Sequence, residues 1–205
     1  MSSIKLKHSS GNSMSIAAPA SNPASDLTLT LPTNIGAAGK VLSVNGSGNL
    51  DFIYPSGYGY FQSYATGNIQ NLSHDTVTDV TLTAETFDSQ SWYDTSTSRY
   101  TPQVAGKYYI CVHLTFTAVG DEAYRAIVYA TKNGTTALQS IFGVDDNIYN
   151  YQTVITAGII DLNGSSDYVS AKVHYQDSGS NGAQLNSDQQ ETYMFGYLLE
   201  AAWVH

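Results

Sequence analysis

One cysteine and one histidine lie two residues apart in a stretch whose alternation predicts a β-strand. Residues at positions i and i+2 of a strand point to the same face, so Cys111 and His113 would be neighbours there. A thiol beside an imidazole can act as a nucleophile, but such a site also needs a third group that orients the histidine. The sequence shows no such group. A packed histidine beside a small buried thiol is therefore the favoured interpretation.

The other groups that could bind a metal or transfer protons show no ligand spacing. The remaining histidines are His8, His74, His174 and His205. Two acidic clusters, Asp121-Glu122 and Asp145-Asp146-Asn147, could supply oxygen ligands to Ca²⁺, but neither follows a calcium-loop pattern. A phosphate-binding G-x-x-x-x-G-K motif and a G-x-S-x-G nucleophile elbow are both absent. We therefore predict no enzyme activity, no catalytic residues, no metal site and no cofactor, and leave Ca²⁺ open as a weakly supported ligand.

The chain has 16 tyrosines, and those in predicted loops are the better candidates for a binding role. Tyrosine offers a large amphipathic contact area at little cost in side-chain entropy. We expect a glycan or a protein receptor to contact the loop that ends at residue 151 and the polar loop 176–191. The candidate binding residues are Asp145, Asp146, Tyr149, Tyr151, Asp177 and Asn181.

The predicted strands must position these groups, and three of the strands are apolar on both faces. Residues 107–116 place an alternating apolar set on one face and an almost uncharged set on the other. Residues 154–162 and 193–203 have the same character, whereas 168–175 looks half-exposed. Because one face of each sheet in a two-sheet sandwich normally meets water, a doubly apolar sheet predicts burial in a closed oligomer. The predicted interface residues are Tyr109, Cys111, His113, Ile155, Ile159, Met194 and Leu198.

The composition excludes several classes of protein. The net charge is −9 and only 12% of the residues are charged, so nucleic acid and anionic membranes are not expected partners. The single cysteine excludes an intrachain disulfide framework and a cysteine-based zinc site. No apolar signal-peptide core and no membrane-spanning run occurs, which predicts a chain made in the cytoplasm that does not insert into membranes.

Residues 1–56 form a predicted segment separate from the domain at 57–205. Short apolar alternations in this segment are broken by turns such as Asn45-Gly46. Each predicted strand offers few apolar side chains to offset a backbone entropy cost of about 1–2 kcal/mol per residue. We expect strands that complete their core with copies of themselves in a trimeric β-rich stalk. The alternative is a disordered leader rich in Ser, Thr and Gly.

The order and spacing of several short motifs between residues 59 and 203 resemble those of C1q-like domains. The matching motifs are Phe87, Tyr93-Asp94, Tyr100, Gly106-Lys107-Tyr108-Tyr109-Ile110, Lys132-Asn133-Gly134, the segment from Thr153 to Val173 with its Gly164, and Gly196-Tyr197-Leu198-Leu199. Met194 stands where the family usually has Phe. The resemblance implies an all-β, ten-stranded jelly-roll β-sandwich of the C1q/TNF type. It also implies trimerisation through the inner sheet, and binding at loops and grooves without catalysis.

Residues 1–56 resemble in style the short repetitive leaders of bacteriophage fibre and virion proteins, with S-I-K-L-K-H, T-L-T-L-P and V-L-S-V-N-G-S-G-N-L runs. This resemblance implies a homotrimeric fibre or spike in the virion that contacts other virion proteins through residues 1–56. Its head would bind a host-surface glycan or protein receptor. The alternative is a structural protein that decorates the capsid, forms a head fibre or joins tail parts without binding a receptor.

Overall fold

The structure is a computed structural model that describes residues 3–7, 9–17, 28–44, 47, 49–67, 70–120, 123–143 and 151–202. The chain divides into two compact units. The first comprises Met1–Ala37 and Leu42–Phe52, and the second comprises Ala38–Val41 and Ile53–His205. The described residues form β-strands and no helix, so no helix there could span a membrane.

The N-terminal part of the chain contains two small sheets. Its strands are β1 (Ser3–Lys7), β2 (Ser13–Ala17), β3 (Val41–Val44) and β4 (Leu50–Ile53). β1 and β2 pair antiparallel with Ile4 opposite Ile16, and β3 pairs with β4. Several described apolar side chains of this part are exposed, for example Leu31 at 74% and Ile35 at 95%. Those of β4, Leu50, Phe52 and Ile53, are partly buried.

The described residues of the C-terminal unit form thirteen strands, some of which are short strands within its long connections. These strands are β5 (Phe61–Tyr64), β6 (Gln70–Leu72), β7 (Thr76–Asp79), β8 (Ala84–Asp88), β9 (Tyr93–Asp94), β10 (Arg99–Tyr100), β11 (Ala105–Ala118), β12 (Ala123–Lys132), β13 (Thr135–Gly143), β14 (Tyr151–Asn163), β15 (Val169–Asp177), β16 (Ala183–Leu185) and β17 (Tyr193–Ala201).

These strands form two sheets of mainly antiparallel pairs. The seven-stranded sheet has the order β6-β16-β11-β17-β5-β8, with β14 along the other edge of β11. The six-stranded sheet has the order β13-β12-β15-β10-β9, and β7 also pairs with β15. The strand predicted at residues 107–116 is confirmed as part of β11, which has pairing partners along both edges.

The core lies between the two sheets and follows the alternation of the sequence. One face of β11, comprising Tyr108, Ile110, Val112, Leu114 and Phe116, is fully buried. The alternating set of β15 that runs from Val169 to Tyr175 is buried opposite it. The rings of Phe116 and Tyr175 meet edge to face at 5.5 Å, which joins the two sheets.

Asn-Gly pairs form two turns of the C-terminal unit, one in a hairpin and one in the connection between the two sheets, whereas Asn45-Gly46 lies outside the described residues. Asn133 and Gly134 have φ values of 52° and 78° between β12 and β13, and positive φ at both turn positions suits a two-residue hairpin. In the connection from β14 to β15, the Asn163 side-chain oxygen accepts hydrogen bonds from the backbone N–H groups of Ser165, Ser166 and Asp167, each at 3.0 Å. An Asn side chain that mimics a backbone turn in this way explains why the turn occurs here.

The segment 176–191 differs from the long polar loop that its composition predicts. It contains β16, whose Ala183 and Leu185 are buried and whose strand pairs with both β11 and β6. Three residues are too short a run to stand out among polar neighbours. Their burial depends on strands that are distant in sequence.

Candidate functional site

The outward side of the seven-stranded sheet carries a broad set of aromatic and aliphatic side chains, which we call the aromatic face. Its members are Tyr109, Cys111 and His113 on β11, Ile155, Ala157 and Ile159 on β14, and Tyr193, Phe195 and Tyr197 on β17. The strand register places them side by side: Tyr109 pairs with Ile159 on one edge and Tyr197 on the other, and His113 pairs with Ile155 and Tyr193. None of these side chains is charged except His113 when it is protonated.

Ring contacts hold the aromatic face together. The Tyr109 ring lies 6.0 Å from the Phe195 ring and 5.6 Å from the Tyr197 ring, measured between centroids. The His113 ring stacks on Tyr193 at 4.6 Å with 9° between the planes. Side chains fixed in this way lose little further entropy when a partner covers them, which favours a preorganised contact surface.

The β14 part of the aromatic face is the most exposed. Ile155 is 49% exposed and Ile159 is 57% exposed, although both are large aliphatic residues on a strand whose alternate residues are buried. A row of exposed isoleucines beside an aromatic ladder is the kind of contiguous apolar surface that soluble monomers rarely display.

Two of the predicted interface residues lie elsewhere. Met194 and Leu198 are fully buried in the core of the sandwich, where Met194 is opposite Val112 and Leu198 is opposite Tyr108. The outward residues of β17 are instead Tyr193, Phe195 and Tyr197. Because both alternating sets of this strand are apolar, their pattern alone does not identify the core face. The other five predicted residues do share the aromatic face.

The geometry of Cys111 and His113 does not favour a nucleophilic pair. His113 Nδ1 lies 2.9 Å from the Glu191 carbonyl oxygen, which can only accept a hydrogen bond, so Nδ1 carries the proton. Burial raises the pKa of the Cys111 thiol, which favours the thiol over the reactive thiolate. These contacts agree with a packed histidine beside a buried thiol.

Among the described residues, the charged groups lie at the ends of the aromatic face. At one end, Lys107 Nζ lies 3.2 Å from Glu200 Oε2, and both side chains are more than half exposed. At the other end, the Tyr151 hydroxyl donates to Glu191 Oε1, and Asn186 Nδ2 donates to Glu191 Oε2 at 3.0 Å. The hydrogen bond to Glu191 raises the pKa of Tyr151. The aromatic face is thus an uncharged surface with a polar rim, the usual arrangement of a protein–protein contact.

The predicted binding residues are not brought together. Asp145, Asp146 and Tyr149 lie outside the described residues, while Tyr151 is exposed at the rim of the aromatic face. Asn181 is exposed beside Gly120. Asp177 differs from its predicted role as a loop ligand, because it is only 1% exposed.

The Asp177 carboxylate is fully engaged within the chain. His74 Nδ1 lies 2.8 Å from Asp177 Oδ1, and the Gly182 backbone N–H donates to Asp177 Oδ2 at 2.6 Å. These contacts join two turns that are about a hundred residues apart in sequence. Asp177 therefore stabilises the loop and leaves no oxygen free for a ligand. Within the part of the chain that the structure describes, no group of three His, Cys, Asp or Glu residues is arranged to hold a metal ion.

The fold is similar to that of known structures over about two thirds of the chain. The crystal structure of murine APRIL at pH 5.0 matches with a TM-score of 0.52 and 15% identity, covering 69% of this chain and 98% of that one. The structure of murine APRIL at pH 8.5 gives a TM-score of 0.52 at 16% identity with the same coverage. The match to the globular domain of zebrafish complement 1qA covers 70% of this chain and 99% of that chain at 13% identity. Its TM-score of 0.43 is too low to support a conclusion about the fold.

No family model matches the chain, and a search of curated proteins finds no match. The two sheets and the likeness to APRIL together confirm the predicted all-β jelly roll of the C1q/TNF type. At this level of identity the likeness establishes the fold alone.

Proposed function

We propose that the chain is a homotrimeric binding protein in which neighbouring copies cover the aromatic face of each subunit. The observation that carries this proposal is the uncharged, exposed and internally stacked surface formed by β11, β14 and β17. Burying apolar surface contributes roughly 25 cal/mol per Å². Such a surface gains most from a partner that is itself apolar, and a second copy of the same sheet meets that requirement.

The charge distribution supports self-association through this face. Each chain carries −9, so three chains together carry −27 (3 × −9), and charged surfaces of two copies would repel one another. Among the described residues, the charges of the aromatic face lie at its ends, where Lys107 is paired with Glu200 and lies opposite Asp161. It is therefore a surface on which acidic copies can approach without direct repulsion. The resemblance to C1q-like domains implies three copies.

The proposed protein binds and does not catalyse. The one thiol is buried, the nearby histidine is held by a backbone carbonyl, and Asp177 is bound to His74 and Gly182. None of these groups has the free, oriented partner that a nucleophile or a general base requires.

We further propose that this trimer is a virion component, anchored to other virion proteins through residues 1–56, whose head binds a host-surface glycan or protein. The support is the resemblance of residues 1–56 to bacteriophage fibre leaders and the exposure of several described apolar side chains there, such as Leu31 and Ile35. Capsid decoration without receptor binding is the competing role, and the experiment below separates the two.

The experiment compares Ile159→Asp with Ile141→Asp in the full chain. The two isoleucines are exposed to the same extent, 57% and 56%, but Ile159 lies on the aromatic face and Ile141 lies on β13 of the other sheet. Light scattering should show a trimer for the unaltered chain and for Ile141→Asp. Ile159→Asp should be a folded monomer, because an unpaired carboxylate in an apolar interface costs several kcal/mol.

A stable monomer of the unaltered chain at micromolar concentration would refute the trimer, as would dissociation caused equally by both substitutions. The same proteins should then be added to host cells. Binding that soluble protein competes away, and that the monomeric variant loses through reduced avidity, supports the receptor-binding role. Trimers that coat the capsid and ignore every host cell offered would support decoration.

A further inference from the structure

A small polar pocket lies on the six-stranded sheet, away from the aromatic face. β7 and β10 lie along the same edge of β15, where β7 pairs with Lys172–Tyr175 and β10 pairs with Val169. The pocket lies at the junction between these two strands and has a volume of about 170 Å³. Its lining is mainly polar and includes Asp79, Thr97, Arg99, Tyr168, Ser170 and Lys172.

Arg99 is held in position but has no acidic partner among the described residues. Its guanidinium group lies over the ring of Tyr168, 4.1 Å from the centroid, and this stacking leaves the N–H groups at its edge available. Its cross-strand neighbour is Asp94, whose carboxylate already accepts hydrogen bonds from Ser96 and Thr97. These hydrogen bonds lower the pKa of Asp94 and keep its charge engaged in the turn.

Lys172 brings a second cation to the pocket and Asp79 brings one carboxylate. Lys172 Nζ lies 3.4 Å from Asp79 Oδ1, a distance that is long for a strong charge-assisted hydrogen bond. The charged groups of the lining therefore sum to one positive charge. In a chain with only 8 Lys and Arg residues against 17 Asp and Glu, a pocket with two cations and one acid is a local reversal of sign.

We propose that this pocket binds the carboxylate of an acidic monosaccharide. The planar fork of Arg99 matches a carboxylate, and Lys172 supplies a second donor. The polar lining and the Asp79 carboxylate suit the hydroxyl groups of a sugar, with Asp79 as a hydrogen-bond acceptor. Its small volume, below the roughly 300–1,000 Å³ of pockets for drug-sized ligands, suits a single sugar ring.

The single excess positive charge favours a monoanion over a phosphate group. A dianionic phosphate would place its second charge near Asp79, and that repulsion opposes binding. An uncharged sugar would leave Arg99 without a counter-charge. The pocket thus favours a ligand with one negative charge over an uncharged ligand and over a dianion.

This inference names a ligand class for the binding role proposed above, but the pocket itself does not require the trimer. Its lining residues belong to the six-stranded sheet and its turns, so an assembly through the aromatic face leaves the pocket open. Light scattering reports on the trimer and ligand titration reports on the pocket, so failure of one proposal is distinguishable from failure of the other.

The test is a calorimetric titration of the full chain with N-acetylneuraminic acid and glucuronic acid. Glucose, the methyl ester of glucuronic acid and inorganic phosphate serve as comparison ligands. We expect the acidic sugars to bind in the millimolar range or more tightly, and added salt to weaken their binding. Glucose, the ester and phosphate should each bind at least about tenfold more weakly.

Substitutions then assign the binding to the pocket. Arg99→Gln and Lys172→Gln should each weaken binding of the acidic sugar about tenfold or more, since each removes a charge-assisted hydrogen bond. Arg125→Gln removes an arginine from β12 of the same sheet, outside the pocket, and should leave the affinity unchanged. Asp79→Asn should strengthen binding of phosphate, a gain that misfolding cannot imitate.

Three results would overturn the proposal. The first is the absence of acidic-sugar binding, or equal binding of the sugar and its ester. The second is equal loss of affinity in Arg125→Gln and Arg99→Gln, which would indicate a general charge effect. The third is phosphate binding to the unaltered chain as tight as that of the acidic sugars.

Discussion

At the scale of single residues, the tyrosines of the core differ in how their hydroxyl groups are satisfied. The Tyr93 hydroxyl donates to the Leu82 carbonyl at 3.0 Å, the Tyr108 hydroxyl donates to the Val104 carbonyl at 2.8 Å, and the Tyr100 hydroxyl donates to the Gly59 carbonyl. The buried Tyr175 hydroxyl has no hydrogen-bond partner within the described part of the chain. A buried tyrosine hydroxyl group thus stabilises the fold where a hydrogen-bond acceptor lies beside it and destabilises the fold where none does. The position of the tyrosine in the sequence does not show which case applies.

This difference predicts opposite responses to the removal of a single hydroxyl group. Tyr108→Phe leaves the Val104 carbonyl without its donor and should lower the free energy of unfolding by about 1–3 kcal/mol. Tyr175→Phe removes an unsatisfied hydroxyl group and should leave stability unchanged or raise it. Urea unfolding of the two variants and the unaltered chain measures both effects. A loss in Tyr175→Phe equal to that in Tyr108→Phe would contradict the assignment.

At the scale of elements, turns and close strand approaches determine how the two sheets form. Gly164, in the connection from β14 to β15, has φ +69°, and a Cβ atom there would lie 2.1 Å from the Ala105 backbone nitrogen. Neither the positive φ nor the backbone contact can be accommodated by movement of a flexible side chain. The turn at Asn163-Gly164 therefore needs its glycine for two separate reasons.

Gly164→Ala should be much more destabilising than Gly67→Ala. Both glycines have positive φ, +69° and +78°, so both variants incur a conformational cost of about 1–2 kcal/mol. Nothing lies within 4 Å of a Cβ atom built at Gly67, so only Gly164→Ala adds a collision with the backbone. The difference in thermal stability between the two variants measures the cost of that collision. Equal losses of stability would show that the connection moves to accommodate the methyl group.

The strands also show when sequence alternation predicts the core face of a strand and when it does not. The alternation in 107–116 and 168–175 correctly predicts β11 and β15 and their core faces, because one set of side chains is clearly more apolar than the other. β17 has two apolar sets, and its core face is the one with Met194, Gly196 and Leu198. Gly196 permits this packing, since a Cβ atom there would lie 2.6 Å from Ile110 Cδ1.

At the scale of the whole molecule, the buried tyrosines make the fold sensitive to alkaline pH. Burial raises the pKa of Tyr93 from 10.0 to about 12 and also raises the pKa values of Tyr100, Tyr108 and Tyr175. The protonated form is thus favoured in the folded chain. The contribution of these protonated tyrosines to the free energy of unfolding is fully present below pH 10. It is lost as pH rises, because the same tyrosines ionise at a lower pH in the unfolded chain.

We predict a steep decrease in the free energy of unfolding as pH rises from about 10 to about 12, with a slope near 1.4 kcal/mol per pH unit for each buried tyrosine. Denaturant unfolding at a series of pH values measures this slope. Tyr175→Phe should make the slope shallower by one group, and tyrosine ultraviolet difference spectra should show ionisation coinciding with unfolding. A constant free energy across this interval would be incompatible with buried, protonated tyrosines.

The sequence by itself determined the all-β class, the strand at residues 107–116, the Asn133-Gly134 hairpin and the presence of an uncharged face on β11 and β14. These features depend on local periodicity and on backbone conformations that particular residues prefer, so a short window of sequence contains the necessary information.

The tertiary structure alone decided the core face of β17, the pairing of Asp177 with His74, and the pocket formed by Asp79, Arg99 and Lys172. Each brings together groups that are far apart in the chain or chooses between two faces that are equally apolar. A period of two residues specifies that side chains alternate but not which set is buried. That choice follows from the volumes and partners of the strands packed alongside, and these exist only when the two sheets have formed.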